Sequence, residues 1–229
     1  MEKKHITALG DSVTKGVILT ENGKYSVLEN NYIDILKREL EVTIENHSKF
    51  GCTVEYGEHM VKMHNDSISY SDYTFIEYGG NDCDFDWGKI ANNPEGEYYA
   101  KTPLEIFKEK MIELVKKIIN LGSKPILITL PPIDSSRYFE FFTRLMNEQQ
   151  KENVRNWLGG DINIIGRWHE SYNQSLYEVS KQTNTPIIDI TKPFETHEHG
   201  LTDLLCKDGI HPNQKGHKLI AATIINGYL

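Results

Sequence analysis

Short apolar runs alternate along the chain with longer stretches in which apolar residues return every three or four positions. Runs at 5–9, 43–45, 73–78, 126–130 and 186–190 have the length of strands. Between them, Ile33, Leu36 and Leu40 predict a helix over 32–40. The clearest helix is predicted over 103–121: Pro103 opens it, Ile106, Phe107, Met111, Leu114, Ile118 and Leu121 form one apolar face, and Gly122 stops it. Further helices are predicted over 168–183 and 215–225. Strands separated by helices predict βαβ units and a parallel sheet, and such sheets bind ligands beyond the carboxyl ends of their strands. That rule directs attention to 10–16, 79–84, 131–136 and the stretch after Asp189.

Two stretches exceed ordinary loop length, 83–102 and 133–167, and long excursions in compact domains are often lids or binding loops. Both carry aromatics: Phe85, Trp87, Tyr98 and Tyr99 in the first, and Tyr138, Phe139, Phe141, Phe142 and Trp157 in the second. With no repeat, low-complexity tract or linker, the 229 residues are expected to form one domain over 1–229.

Charge narrows the partners. Lys and Arg number 25 against 33 Asp and Glu, a net charge of −8, which argues against nucleic acid and anionic membrane surfaces. No run approaches the ~20 apolar residues of a membrane span, and no secretory signal opens the chain, so a cytoplasmic protein without membrane insertion is expected. Cys52, Cys83 and Cys206 are odd in number and widely spaced, which suits neither a disulfide framework nor a zinc site.

The chemistry-bearing residues sit at the expected strand ends. Ser12, in Gly10-Asp11-Ser12, can present its hydroxyl just past the first strand, where a helix start would favour developing negative charge. The plainer alternative is that Asp11 or Ser12 caps a turn. A serine nucleophile needs a base, and Asp208-Gly209-Ile210-His211-Pro212 offers a histidine with a carboxylate three residues away across a glycine. A capping aspartate before the last helix explains that stretch equally well. Asn81, in Gly79-Gly80-Asn81-Asp82, could donate an amide hydrogen bond to an oxyanion, or serve a simple Asn-Asp turn. After the second strand, Asn46 through Gly51 to Thr53 supplies a lone glycine, with Gly57 as a rival.

Together, in order, spacing and placement, these four stretches resemble the four signature blocks of the SGNH, or GDSL, hydrolases, over nearly the whole chain. Val13 stands where the GDSL name has leucine. The resemblance implies a flavodoxin-like three-layer α/β/α sandwich with a mostly parallel central sheet, and an esterase with neither metal nor other cofactor. Carried over residue by residue, Ser12 is the nucleophile, His211 the base and then the acid, and Asp208 the residue that orients His211. The oxyanion hole comprises the Ser12 and Gly51 backbone N–H groups and the Asn81 amide.

Other candidates carry less. His197-Glu198-His199 looks metal-like, but its spacing of two is wrong for adjacent helix turns. Asp82 and Asp84 are expected to be solvated loop carboxylates, and Cys52 and Cys83 small buried thiols. The expected function is hydrolysis of a small-acyl ester, with a carbohydrate O-acetyl group as the leading substrate and Phe85, Trp87 and Tyr138 as pocket residues. A lysophospholipase or thioesterase is the alternative within the family, and a non-catalytic flavodoxin-like binding module the alternative outside it. The expected partner is a small-molecule ester. Neither the oligomeric state nor the natural ester can be read from the sequence.

Overall fold

The computed structural model describes residues 3–228. Strand β1 (His5–Gly10) leads into the short helix α1 (Ser12–Lys15), an antiparallel hairpin of β2 (Val17–Leu19) and β3 (Tyr25–Val27), then α2 (Tyr32–Glu39) and β4 (Thr43–Asn46). Helices α3 (Val54–Met63) and α4 (Asn65–Tyr70) precede β5 (Tyr73–Glu77), which is followed by α5 (Trp87–Asn92), α6 (Leu104–Asn120) and β6 (Lys124–Ile128). Helices α7 (Ser135–Thr143), α8 (Glu148–Trp157) and α9 (Ile164–Thr183) lead to β7 (Ile187–Ile188), and α10 (Thr191–Glu195), α11 (Leu201–Leu204) and α12 (Gln214–Tyr228) complete the described chain.

Five strands form a parallel sheet in the order β4-β1-β5-β6-β7. The strands are buried on both faces, as parallel strands with helices on either side must be. Side chains alternate between the two cores. Ile6, Ala8, Phe75, Ile126 and Ile128 pack on one side with Ile33 and Leu36 of α2 and Ile220 and Ile224 of α12. Leu9, Ile76 and Leu127 pack on the other with Val61 of α3, Met111 and Leu114 of α6 and Leu176 of α9. This three-layer α/β/α arrangement is the expected architecture. No described helix is long and apolar enough to cross a membrane.

Several elements differ from the sequence expectation, each for a local reason. In α6 the buried face is Phe107, Met111, Leu114, Val115 and Ile118; Ile106 is turned to solvent, 43% exposed, because Phe107 takes the core-facing position of that turn. The first turn of α9 begins four residues before the expected start, and Ile165 within it is buried. Strand β7 keeps only two residues, because the N–H groups of Ile190 and Thr191 turn to the Thr129 hydroxyl at 2.8 and 3.2 Å instead of continuing the ladder. The two excursions are helical rather than looped. Helices α5, α7 and α8 meet in a third apolar cluster of Trp87, Ile90, Phe139, Val154, Leu158 and Ile165.

One buried group gives the fold a pH dependence. His217 of α12 is fully buried, its ring lies against Tyr32 with centroids 6.0 Å apart, and neither ring nitrogen has a partner among the described residues. Burial, with the nearby His211 charge adding to it, lowers its pKa to about 4. Between its ordinary value and that one, the unfolded chain takes up a proton that the folded chain does not. Stability from this group is therefore full above about pH 6.5 and falls as the pH drops toward 4. Urea unfolding at pH 7 and pH 4.5 is expected to lose roughly 2–3 kcal/mol more in the wild type than in His217→Leu. Equal losses in the two proteins would show that His217 is not the group responsible.

Candidate active site

The carboxyl ends of β1 and β5 face the loop before α12, and the chemistry-bearing residues converge there. Asp11, not Ser12, caps α1: its Oδ1 accepts the Val13 N–H at 2.8 Å. This leaves the Ser12 hydroxyl free to face His211, whose Nε2 lies 3.0 Å from Ser12 Oγ. On the far side of the ring, His211 Nδ1 lies 2.7 Å from Asp208 Oδ2. Asp208 Oδ1 accepts the N–H groups of Ile210 and His211, each at 3.2 Å. The loop is pinned where Cys206 N–H donates to the His211 carbonyl at 2.8 Å. Gly209 makes the tight turn possible. Its φ is +76°, and a Cβ there would sit 2.7 Å from the Asp134 carbonyl oxygen and 2.8 Å from the Tyr138 nitrogen.

The electrostatics assign the proton. An ionised carboxylate only accepts, so Nδ1 carries the hydrogen and Nε2 is left as an acceptor for the serine proton. Burial pushes the Asp208 pKa up, but the hydrogen bond and charge of His211 and the two backbone N–H groups outweigh it, holding the carboxyl below its ordinary value. The arrangement can therefore take a proton from Ser12 and stabilise the imidazolium that results.

Donors converge beside Ser12. The Ser12 N–H opens α1, and Gly51, at φ +75° in the turn after β4, lines the same cavity. Gly57 does not reach it. It lies in α3 against Tyr78, where a Cβ would come 2.7 Å from the ring. Asn81 Nδ2 donates to Asp11 Oδ2 at 2.8 Å. An amide nitrogen carries two hydrogens, so one remains for a ligand.

Asp82 and Asp84 are not the solvated loop pair expected from the sequence. Asp82 is fully buried, and both its oxygens accept the Val54 N–H at the start of α3, at 3.1 and 3.2 Å. Burial raises its pKa to about 7. Asp84 accepts from Trp87 Nε1 and the Tyr138 hydroxyl, each at 2.8 Å, and from Lys101 at 2.9 Å, tying the two excursions together. Glu77, at the end of β5, is fully buried and accepts from the Thr14 hydroxyl at 2.8 Å. Burial first, and the neighbouring Asp11 carboxyl second, hold Glu77 well above its ordinary value; Asp11 is raised by burial too. Sequence reasoning missed Glu77, since a lone acid ending an apolar strand gives no pattern.

These residues enclose a cavity of about 130 Å³ whose lining includes Ser12, Gly51, Asn81 and His211. Phe85, Trp87 and Tyr138 line it as expected. They form a packed wall rather than open platforms: Trp87 is 7% exposed, with Phe142 stacked on it at 4.5 Å, and Phe85 packs on Trp168 at 4.7 Å. The open rings are Tyr25 and Phe50, 40% and 47% exposed, with centroids 5.2 and 5.9 Å from that of His211. Neither ring belongs to a pattern that marks it in the sequence. Cys52, Cys83 and Cys206 are buried free thiols. His197 pairs with Asp203 at 3.1 Å rather than with a second ligand of a metal set.

Comparison with known proteins places this site in a family. The sequence profile of the GDSL-like Lipase/Acylhydrolase family matches residues 8–219, and the chain belongs to that family of ester hydrolases. A curated relative, the uncharacterized lipoprotein YqeF of Bacillus subtilis (strain 168), is 26% identical over 170 residues, 69% of this chain and 62% of that protein. The match thus spans less than two thirds of that relative's length. Among solved structures, a lipase/acylhydrolase from Enterococcus faecalis aligns with a TM-score of 0.65 at 23% identity, covering 98% of this chain and 94% of that one. An acetylxylan esterase from Geobacillus stearothermophilus aligns with a TM-score of 0.65 at 18% identity, covering 97% and 93%. A GDSL-family lipolytic protein from Veillonella parvula aligns at 0.64 with 15% identity, covering 98% of each chain.

Proposed function

We propose that the protein is a serine esterase that removes a small acyl group from a neutral alcohol, with carbohydrate O-acetyl esters as its substrate class. The observation that carries the reading is the line from Ser12 Oγ through His211 to Asp208, at 3.0 and 2.7 Å, opening on an enclosed cavity. His211 Nε2 takes the Ser12 proton as Oγ attacks the ester carbonyl. The tetrahedral oxyanion is met by the N–H groups of Ser12 and Gly51 and by the free hydrogen of the Asn81 amide. His211 then gives its proton to the departing alcohol, leaving the acyl group on Ser12. Water, activated by the same imidazole, releases the acid and restores the serine.

Two observations support the small, uncharged substrate. The cavity volume of about 130 Å³ is close to that of a void which takes up one benzene, about 150 Å³. Its lining among the described residues contains no lysine or arginine, so no fixed cation there pairs with an anionic acyl group or headgroup. The fold likeness to an acetylxylan esterase adds the carbohydrate class. The mouth at Tyr25 and Phe50 and the enclosed wall of Phe85, Trp87 and Tyr138 offer one apolar surface to each half of an ester.

The mechanism is tested first at the nucleophile. Ser12→Ala is expected to lower kcat for p-nitrophenyl acetate by about 10³-fold or more with the fold intact by circular dichroism. A folded variant keeping most of its activity would exclude Ser12 as the nucleophile.

Acyl size is tested separately, with p-nitrophenyl esters from acetyl to decanoyl. In an open tunnel each further buried methylene would favour binding by about 0.8 kcal/mol and kcat/KM would climb. The expected profile instead peaks at acetyl to butanoyl and falls by octanoyl. A steady climb to decanoyl would reject the small-acyl reading in favour of a lysophospholipase or thioesterase.

A further inference from the structure

The first turns of α9 bring three residues to the cavity, Ile165 and, three and four positions on, Trp168 and His169. Two of them complete the apolar wall: Ile165 packs with Trp87 and Phe139, and Trp168 with Phe85 and Trp157. The third does not fit an apolar wall. His169 is 95% buried, being 5% exposed, and neither ring nitrogen has a hydrogen-bond partner among the described residues. Burial lowers its pKa to about 4, with no charged neighbour contributing, so at neutral pH it is an uncharged imidazole. Unlike His217, whose two ring nitrogens are sealed without a partner, His169 lines the cavity that holds Ser12, and its uncommitted ring nitrogens are accessible there.

Resting on the esterase reading above, we propose that His169 is a specificity-determining residue that hydrogen-bonds a hydroxyl group of the substrate. The chemistry of the pair is complementary. A neutral imidazole offers one donor and one acceptor, and so does a hydroxyl, whereas a bare acyl chain offers neither. The other polar groups on that side are already engaged: the Tyr138 hydroxyl and Trp87 Nε1 both donate to Asp84, and Asp84 also holds Lys101. Beside those aromatic rings, among the described residues, His169 is thus an uncommitted polar side chain. A site built to pair with a hydroxyl discriminates against the analogue that lacks it, because the plain analogue covers the imidazole without pairing it.

The hydroxyl can belong to either half of the ester, and two matched pairs of probes separate the sources. For the alcohol half, a mono-O-acetylated methyl glycoside is compared with cyclohexyl acetate. For the acyl half, p-nitrophenyl glycolate is compared with p-nitrophenyl acetate. In each pair the ratio of kcat/KM, hydroxylated over plain, is measured for the wild type, His169→Phe and His169→Gln. The expected result is a fall of about tenfold in one ratio for His169→Phe, with His169→Gln, which keeps a donor and an acceptor, recovering most of it. The pair that responds identifies the half that carries the hydroxyl. Ratios within threefold of the wild type in both pairs, including the case where both members of a pair lose activity together, would overturn the proposal and reduce His169 to a packing residue. Ser12-dependent turnover of p-nitrophenyl acetate by the wild type is read in the same experiment. Its absence would count against the esterase reading itself rather than against His169.

Discussion

The hydrogen bond between Ser12 and His211 joins residues 199 positions apart, and much of the remaining structure exists to bring them together. Ser12 is fixed by the end of a strand, β1, that has a neighbour on either side, so its backbone has little freedom. His211 is fixed by a loop outside the sheet and helices, so its position is set by side-chain bonds, a tight turn and an isolated backbone bridge. Asp208 grips the loop through its two backbone N–H acceptances. Gly209 allows α7 to press against the turn, and the bridge between Leu205 and Pro212 closes its base. A parallel sheet makes the meeting possible, because the ends of β1 and β5 open on the same side and leave one crevice between them.

That crevice has an electrostatic problem, which burial resolves. In the proposed reaction the ester carbonyl under attack becomes negative, yet Asp11, Glu77 and Asp82 all lie near the donors that would receive that charge. Three ionised carboxylates would oppose it. Burial instead raises all three, Asp82 to about 7 and Glu77 well above its ordinary value, so each holds its negative charge less readily than an exposed carboxyl does. The same acids serve as scaffolding. Asp11 caps α1 and holds one hydrogen of the Asn81 amide, and Asp82 starts α3 behind Gly51. Asp208, by contrast, is held below its ordinary value, and it faces His211, on which positive charge would develop in that reaction.

Much of this was legible in the sequence, and the rest was hidden for definable reasons. The central strands β5 and β6 announce themselves because both faces are buried, which makes most of their residues apolar, whereas the edge strand β4 carries a single apolar residue, Ile44. Ser12 and Asn81 stand just past the ends of β1 and β5, where the rule for open α/β sheets points, while Asp208 and His211 were legible through their spacing and the resemblance to the GDSL hydrolases. The hairpin β2–β3 was not legible: it has three residues per strand, and β3 is wholly exposed, so it carries no apolar alternation. Helices α5, α7 and α8 were read as loops because their apolar residues serve a separate small cluster and their spacing is broken by polar caps such as Asp86, Asp134 and Asn147. Asp84 reads from the sequence as a solvated loop carboxylate, and His169 carries no mark at all, for a different reason. Their environment is made by side chains far away in sequence, Tyr138 and Lys101 for the one and the chamber beside Ser12 for the other, and no local pattern encodes it.

The central claim is that Ser12, activated by His211 and Asp208, is the attacking group. Covalent trapping tests it without any assumption about the natural ester. The protein is incubated with a p-nitrophenyl alkylphosphonate, and the modified residue is located by peptide mass spectrometry in the wild type and in His211→Ala. The account predicts one phosphonate on Ser12 in the wild type, formed at least about a hundred times faster than in His211→Ala, because the serine is a weak nucleophile without its base. Labelling at another residue, or labelling of Ser12 at the same rate without His211, would contradict it.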